Sequence, residues 1–457
     1  MSELEPSATS SPFTSGAWYK ELNRYHWFVL LVASLGWLFD TMDQQLFTLA
    51  RRPAMLELLH VKPGDPSAAG LIATYAGYST SIFMIGWATG GVLFGILGDR
   101  IGRVKTMMIT ILSYTLFTGL SVLSRSLLDF NTYRFLCGLG VGGQFGIGVA
   151  LVAEVVPAKA RPYALGLVQA ASAIGNMLAA GVGILLGQLE MTGSIAGAWR
   201  WEFLAGALPA PLALVVFKKL KEPEQWLKAR AEKKKLGSYG ELLGDPRWRR
   251  NSIVGLLLGF AGIVGLWGIG FFSYDLLRPV LRQTFAAQGL TGAALNGKIT
   301  TWIGITSLVQ NLGSFFGVYA FTYLTNYTGR KKAFAVSFLA AMLMTAYTFW
   351  NLRETSQIFW MIPLMGFAQL SVFGGYAIYF AELFPTRLRS TGTSFCYNVG
   401  RFAAAAWPFT LGYLTSGVYA DKPEPMRYAG VTVCLVFLIG LAALPFAPET
   451  KGKPLPE

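Results

Sequence analysis

The sequence predicts an all-α membrane protein with twelve transmembrane helices in two pseudo-symmetric six-helix bundles. Only 14% of its 457 residues are charged and 53% are apolar, whereas roughly 25% of the residues in a soluble domain are charged. The apolar residues fall in runs of about 20, the length at which a helix crosses a bilayer. In addition, two parts of the chain repeat each other half a chain apart.

Twelve apolar runs follow one another along the chain. They are predicted to span the membrane at 27–50, 70–97, 104–124, 131–153, 162–188, 200–217, 251–276, 299–325, 333–351, 357–380, 391–416 and 428–447. The connections are short apart from one polar stretch in the middle. The expected domains are an N-terminal tail at 1–26, a six-helix bundle at 27–217, a linker at 218–250, a second six-helix bundle at 251–447 and a C-terminal tail at 448–457.

Lys and Arg residues are unevenly distributed between the two sides of the membrane. When the loops are assigned alternately, 25 of the 38 lie on the side of the N-terminus, 11 on the other side and two within the membrane. Because basic loops stay in the cytoplasm, both termini are expected there. The polar segment 1–16 predicts no cleaved signal peptide. The expected location is the cell membrane, which is the inner membrane if the protein is bacterial.

The composition also argues against several other classes of protein. The net charge of +14 arises in the loops, so no nucleic-acid partner is expected. Cys137, Cys396 and Cys434 lie inside apolar runs and predict no disulfide. The two histidines, His26 and His60, lie near the membrane edges, so no metal, cofactor or enzymatic centre is predicted. We expect a monomer embedded in the lipid bilayer.

The chain contains an internal repeat. The segment Glu154–Arg161 recurs as Glu382–Arg389 at an offset of 228, and Asp99–Arg103 is echoed by Asn326–Arg330 at an offset of 227. Two similar six-helix halves related by an axis along the membrane normal are typical of transporters, whose substrate site lies near mid-membrane between the halves.

Several motifs give the chain a resemblance to a known family. They are Gly95-x-x-x-Asp99-Arg100-x-Gly102-Arg103-x-Lys105 between spans 2 and 3, Arg134 opening a glycine-rich span 4, Pro223-Glu224 followed by Trp226 with one residue fewer than the usual spacing, and Pro448-Glu449-Thr450-Lys451-Gly452 after span 12. From about residue 27 to 452 the chain resembles the major facilitator superfamily, and within it the sugar porters and the metabolite/proton symporters. The resemblance implies the major facilitator fold.

Charged residues at the cytoplasmic ends of the spans are candidates for a gate. Glu154 and Glu382 are expected to pair with Arg103 and Arg330, and Asp99 is expected to cap a neighbouring helix N-terminus or to pair with Arg161. Such pairs form in one state of a carrier and break in the other. The alternative is that they only determine folding and topology. The predicted gate consists of Asp99, Arg103, Glu154, Arg161, Arg330, Glu382 and Arg389.

Four charges lie clearly within the predicted spans, where a charge costs roughly 2.5–3.5 kcal/mol and is by default a functional candidate. Asp40 and Asp43 share one face of span 1, and Arg134 lies at a similar depth in span 4. A carboxylate that moves between a charged and an apolar environment can carry a proton. We therefore predict proton coupling by Asp40, Asp43 and Arg134; the alternative is a structural ion pair.

The fourth intramembrane charge, Arg401, indicates the substrate. It lies twelve residues beyond Arg389 and therefore about 18 Å along its helix, near mid-membrane. No acid in the second half is at matching depth, so a bound carboxylate would satisfy the guanidinium. The alternative partners are backbone carbonyls or an acid of the first half. Tyr397 and Asn398 share the face of Arg401, and this stretch resembles span 11 of aromatic-acid and sialic-acid/proton symporters.

Other polar residues at helical spacing are candidates for lining the cavity, although each could instead hold helices together. They are Gln144, Gln169, Asn311, Gln369, Tyr376 and Tyr379, together with Ser307 and Ser314. The predicted function is alternating-access symport of a proton with a small organic anion, either a monocarboxylate or an aromatic acid. A sugar/proton symporter or uniporter is the alternative, but span 7 (265–275) lacks the pair of glutamines that sugar porters carry there. Drug efflux, a sensor and a membrane enzyme are weaker alternatives.

Overall fold

The computed structural model describes residues 17–61, 68–269 and 273–457. Within these residues the chain forms helices joined by short turns, and no strand is present. The predicted all-α class is therefore confirmed. The first six spans are α1 (Arg24–Leu58), α2 (Ala68–Arg100), α3 (Arg103–Ser121), α4 (Leu127–Val155), α5 (Arg161–Met191) and a sixth in two pieces, α6 (Ala198–Gly206) and α7 (Ala210–Lys219).

The linker between the halves forms two short helices, and the second half contains several interrupted spans. The linker helices are α8 (Glu224–Ala231) and α9 (Tyr239–Gly244). Spans 7 to 12 are α10 (Pro246–Ile263) with α11 (Ser273–Ala287), α12 (Gly292–Thr328), α13 (Arg330–Asn351), α14 (Ile358–Leu383), α15 (Arg389–Asn398) with α16 (Gly400–Ala404) and α17 (Trp407–Tyr413), and α18 (Pro425–Val433) with α19 (Phe437–Ala443).

Seven of the described helical segments are long and apolar enough to cross a membrane. They are α2, α4, α5, α13, and the segments Pro246–Trp267, Thr355–Leu383 and Pro425–Phe446. Among the other spans, the sixth is split at Pro209, which cannot continue a helical hydrogen-bond ladder, and α1 contains Asp40 and Asp43. The twelve-helix fold is supported by the solved structures compared below.

Glu21, near the start of the described residues, and Glu457 lie at one side of the bundle, here called the terminal face. Lys159, after span 4, pairs with Glu21 at 2.9 Å, and Arg387, after span 10, donates to the backbone carbonyl of Glu457. From this face toward mid-membrane α2 packs closely on α15. A Cβ at Gly91 would lie 2.4 Å from the side chain of Asn398, so only glycine permits this contact between the halves. The other side is called the opposite face.

The repeat extends to two carboxylates that cap helices from outside. The Glu222 carboxylate accepts hydrogen bonds from the backbone N–H groups of Arg103 and Val104, at the start of α3. At the repeat offset of 227, Glu449 accepts from the N–H groups of Arg330 and Lys331, at the start of α13. A carboxylate stabilises a helix N-terminus by pairing with free N–H groups and with the helix dipole.

The capping role of Glu449 predicts a pH-dependent stability. Burial raises the pKa of this carboxyl, but hydrogen bonds from the backbone of Arg330, Lys451 and Lys331 outweigh that effect and hold the pKa below its usual value. The cap therefore stabilises the fold above the usual carboxyl pKa and is lost as the pH falls through the lowered one. We expect Glu449→Ala to cost about 1 kcal/mol at neutral pH.

Thermal unfolding of the purified protein in detergent at several pH values measures this effect. The deficit of Glu449→Ala relative to wild type should shrink as the pH falls below the carboxyl pKa. Asp421→Ala, which removes an exposed carboxylate in the turn between α17 and α18, serves as the control and should leave the unfolding temperature unchanged. An equal loss in both variants, or one independent of pH, would contradict the capping role.

Candidate functional site

A cavity of about 100 Å³ lies between the two halves. Its walls come from both halves, and it is lined by Trp37, Thr41, Gln44, Gln45, Trp87, Gln169, Ser172, Asn176, Leu266, Trp267, Tyr274, Gln310, Asn311, Ser314, Leu370, Phe373 and Tyr397. A cavity of roughly 150 Å³ holds one benzene molecule. The central cavity is therefore contracted in this state, and a larger solute needs the halves to move apart.

Four of the predicted substrate and cavity-lining residues line this cavity. Gln169 and Tyr397 contribute from α5 and α15, and Asn311 and Ser314 contribute from α12. The side chain of Asn311 accepts a hydrogen bond of 2.9 Å from Asn176, which crosses from the first half to the second. Gln45 makes a second crossing bond, of 3.1 Å, to Ser307. These polar contacts connect the halves beside the cavity.

The structure places the other predicted substrate side chains outside the cavity lining. Gln144 accepts from the Thr110 hydroxyl, and Gln369 donates to Thr345. Three other side chains of this set donate hydrogen bonds to backbone carbonyls: Asn398 to Gly142, Tyr376 to Leu258 and Tyr379 to Pro448. In this state they act as hydrogen-bonding contacts between helices.

Aromatic rings form a large share of the cavity wall, and sequence reasoning missed most of them. Trp37, Trp87, Trp267, Tyr274 and Phe373 line the cavity and were not predicted to do so. Trp87 of the first half meets Trp267 of the second half edge to face, with ring centroids 5.3 Å apart. The sequence contains one indication of this wall: Trp37 lies three residues before Asp40 and therefore on the same face of the helix.

Arg401 is fully buried behind this aromatic wall. Its guanidinium carbon lies 3.9 Å from the centroid of the Trp87 ring and 4.4 Å from that of Tyr397, and both rings line the cavity. Nη1 donates to the Tyr397 carbonyl and to Asn398 Oδ1 at 3.3 Å. Nε and Nη2 have no hydrogen-bond partner among the described residues, and no described acid lies within 4 Å. Cation–π contacts with Trp87 and Tyr397 therefore stabilise the charge of the guanidinium.

The two aspartates of α1 lie in different environments. Asp43 accepts hydrogen bonds from Thr118 at 2.6 Å and from the Cys137 thiol at 3.2 Å, and it faces Arg134 at 3.8 Å. Arg134 is held in turn by two bonds to Ser121 and lies over the ring of a phenylalanine. Asp43 therefore belongs to a well-satisfied network inside the first half.

Asp40 has far fewer partners. It is fully buried, one oxygen accepts a 3.3 Å bond from Gln44, and the other has no partner among the described residues. Its charge interacts electrostatically with Arg401 of the second half and with Asp43. A buried carboxylate with so few hydrogen bonds is costly unless it is protonated or paired.

Glu154 is the centre of an ion-pair cluster that joins the halves at the terminal face. It accepts from Arg103 of the first half at 2.8 and 3.0 Å and from Arg389 of the second half at 2.8 Å. Arg103 also donates to the carbonyl of Thr386 at 2.7 Å, which is a further bond between the halves. The side chains of all three charged residues are fully buried.

Asp99 also connects the halves at the terminal face. It accepts from the backbone N–H groups of Ser390 and Thr391 and, at 2.6 Å, from the Thr391 hydroxyl, so it caps α15. It also lies 3.1 Å from Arg103. Arg161, the partner considered for it from the sequence, instead donates to the carbonyl of Ala153.

The repeat-related residue Glu382 makes a different set of contacts. It pairs with Arg330 at 2.8 Å and accepts from Thr450, both within the second half. The described residues therefore contain a cross-half carboxylate bridge at Glu154 but none at Glu382. The cluster is asymmetric although the sequence repeat is regular.

Known proteins of similar sequence indicate the family to which this fold belongs. The sequence profile of the Major Facilitator Superfamily matches residues 33–408. The chain is 28% identical over 350 residues to the cis,cis-muconate transport protein of Acinetobacter baylyi, covering 75% of this chain and 79% of the relative. It is 27% identical over 464 residues to the niacin transporter NiaP of the same species, covering 95% of this chain and 96% of the relative.

Solved structures agree with the fold. The structure superposes on the proton:xylose symporter XylE of E. coli with a TM-score of 0.72 at 19% identity, covering 94% of this chain and 98% of the other. This likeness supports the twelve-helix fold rather than a substrate. Because the family profile covers most of the chain, the protein belongs to the major facilitator superfamily.

Proposed function

We propose that this transporter carries a small organic anion together with a proton by alternating access. One observation supports the anion above all others: the buried guanidinium of Arg401 lies directly behind the central cavity with two nitrogens that lack hydrogen-bond partners among the described residues. Unpaired polar groups in a buried site are costly, and a carboxylate can bind a guanidinium through two parallel hydrogen bonds. The relatives named as muconate and niacin transporters support the same class of cargo.

Access to Arg401 requires an aromatic ring to move. Trp87 and Tyr397 separate the guanidinium from the cavity, and they come from different halves. Separation of the halves would move Trp87 away from Arg401 and open one face of the guanidinium to the cargo. After this movement the Trp87 ring can pack against an apolar or aromatic group of the cargo that carries the carboxylate.

Asp40 is the proposed coupling carboxylate. Its charge opposes that of Arg401 across the interface, and it has an oxygen without a partner. Protonation of Asp40 removes this competing negative charge, so that the anion becomes the main negative partner of Arg401. Asp43 and Arg134 hold the helices around Asp40 and complete the coupling group.

The ion-pair cluster around Glu154 is the proposed gate. The basic-loop bias assigns the terminal face to the cytoplasm. With Glu154 and Asp99 bonded across the halves, the cytoplasmic side is closed, and the cavity is reached from the outside. Binding of anion and proton favours closure outside and separation of the cluster inside, which releases both into the cytoplasm.

Uptake into proteoliposomes tests the proposal. We would offer radiolabelled lactate, benzoate, nicotinate, sialate and glucose, each with and without an inward proton gradient. Accumulation of at least one carboxylate, and its collapse when the gradient is removed, is expected. Glucose accumulation with no carboxylate uptake would instead favour a sugar porter, and uptake that ignores the gradient would contradict proton coupling.

Replacing Asp40 with Asn should uncouple transport. A gradient of 2 pH units can sustain roughly 100-fold accumulation in a one-to-one symporter, because each pH unit is worth about 1.36 kcal/mol. We expect Asp40→Asn to lose this accumulation while still exchanging labelled for unlabelled anion, since exchange needs no net proton transfer. Asp40→Glu is the control that restores a carboxyl group. Gradient-driven accumulation by Asp40→Asn would contradict the assignment.

A further inference from the structure

A second cavity, of about 360 Å³, lies on the opposite face and shares Tyr274 with the central cavity. We call it the vestibule. It is strongly charged: its lining includes Arg51 and Arg52 of α1, Arg278 of α11, Glu190 of α5 and Glu202 of α6. Glu202 is not among the functional residues predicted from the sequence.

Glu202 is the unusual member of this group. Its side chain is only 7% exposed, although it lines the vestibule, and Oε2 has no hydrogen-bond partner among the described residues. By contrast, the Glu190 carboxylate accepts a 3.0 Å bond from the backbone of Ala198. A buried carboxyl oxygen without a donor, at the wall of a water-accessible cavity, is suited to hold and release a proton.

Glu202 lies in line with the aspartates of α1. Gly206 follows it by four residues on the same face of α6, which is a step of about 6 Å toward the membrane centre. A Cβ at Gly206 would lie 3.2 Å from Oδ1 of Asp43. The backbone of α6 therefore lies beside the Asp43 carboxylate, one helical turn closer to the membrane centre than Glu202. Asp40 follows after one more turn of α1.

Tyr114 completes this row of polar groups. It is fully buried on α3, and its hydroxyl has no hydrogen-bond partner among the described residues. Both Asp40 and Asp43 interact electrostatically with it. A phenol can donate one proton and accept another, so it can connect two carboxylates that do not touch.

We propose that Glu202 is the entry station of a proton path that runs from the vestibule through Asp43 and Tyr114 to Asp40. This inference rests on the proposed proton coupling. The protonated Glu202 carboxyl gives its proton, through one bridging water, to the Asp43 carboxylate, and the resulting Glu202 carboxylate takes a new proton from vestibule water. Through a bridging water on each side, the Tyr114 hydroxyl then accepts the proton from Asp43 while it releases its own to Asp40.

The charged surroundings of Glu202 are consistent with this role. The neighbouring elements bring Arg51, Arg52 and Asp43 from α1 and Glu190 from α5, and Arg278 lines the far side of the vestibule. The charge that acts on Glu202 is that of Glu190, and this like charge favours the protonated Glu202 from which the proposed path starts.

The test compares proton-driven uptake with exchange in proteoliposomes, using the carboxylate that wild type accumulates. We expect Glu202→Gln to lower the initial rate of uptake driven by an acidic outside by about tenfold or more, as loss of a proton-transfer group does. Exchange at equal pH should stay at the wild-type rate, because it bypasses proton entry. Tyr114→Phe should give the same split.

Matched variants separate a proton path from damage to the fold. Glu202→Asp keeps a carboxyl and should retain most of the driven uptake. Asp421→Asn removes an exposed carboxylate that does not line the vestibule and should leave the driven rate unchanged. Driven uptake by Glu202→Gln at the wild-type rate, or an equal loss of driven uptake and exchange in a well-folded protein, would overturn the entry station alone. Uptake by wild type that ignores the proton gradient would overturn the proposed coupling as well.

Discussion

Arg401→Gln is expected to abolish anion accumulation, with the apparent affinity for the carboxylate falling by roughly 100-fold or more. The reason is that truncating one partner of a buried, hydrogen-bonded charge pair costs about 2–5 kcal/mol. Glutamine keeps polarity and similar reach but removes the charge and the paired donors. The measurement is the concentration dependence of uptake and exchange in proteoliposomes.

A conservative variant separates charge from geometry at this position. Arg401→Lys retains a positive charge but loses the planar fork and its stacking on Trp87 and Tyr397, so an intermediate loss is expected. Thermal unfolding in detergent controls for folding, because Arg401 is buried and also contacts Asn398. A well-folded Arg401→Gln protein that still accumulates the anion with unchanged affinity would contradict the anion site.

Glu154→Gln is expected to open the terminal face. Glu154 bonds to an arginine of each half, and removal of its charge leaves Arg103 and Arg389 buried next to each other without their shared partner. Breaking a buried ion pair costs about 3–5 kcal/mol, and this cost falls mainly on the state in which the terminal face is closed. We expect the equilibrium to shift at least about tenfold toward the open state.

Thiol labelling measures this shift. Ser394 is buried where a Cβ at Gly95 of α2 would lie 2.7 Å from it, so Ser394→Cys becomes reactive only when the halves separate there. The three native cysteines are buried and are replaced by alanine in the test protein. Maleimide should label Ser394→Cys at least about tenfold faster when Glu154→Gln is also present.

The repeat supplies a matched control for Glu154. Glu382→Gln removes the equivalent carboxylate, whose bonds among the described residues are to Arg330 and Thr450 and do not cross between the halves. It should destabilise the second half without accelerating the labelling of Ser394→Cys. Equal acceleration by both variants would show that the asymmetry of the cluster has no bearing on gating.

The sequence predicted the depth of residues in the membrane better than the direction of their side chains. Asp43 and Arg134 were matched by their depth, and the structure has them 3.8 Å apart. Gln369, Tyr376 and Tyr379 were also placed by depth and spacing, but α14 is buried on most of its surface. In such a helix a polar residue can face any of several neighbours, so periodicity does not identify the side that faces the cavity.

The aromatic wall illustrates a second limit of sequence reasoning. Trp87 and Trp267 lie in apolar runs, where a tryptophan that faces lipid, one in the protein core and one at a cavity have the same local pattern. Which of these positions a tryptophan takes depends on the contacts between the halves.

The most direct test of the account is the binding of matched charged and neutral compounds to the purified protein. Benzoate with benzamide, and nicotinate with nicotinamide, differ at the group that would meet Arg401 while keeping the same ring. Isothermal titration should show that wild type binds a carboxylate at least about tenfold more tightly than its amide, and that Arg401→Gln loses this preference. A carboxylate preference that survives in Arg401→Gln would contradict the central claim that Arg401 recognises the cargo.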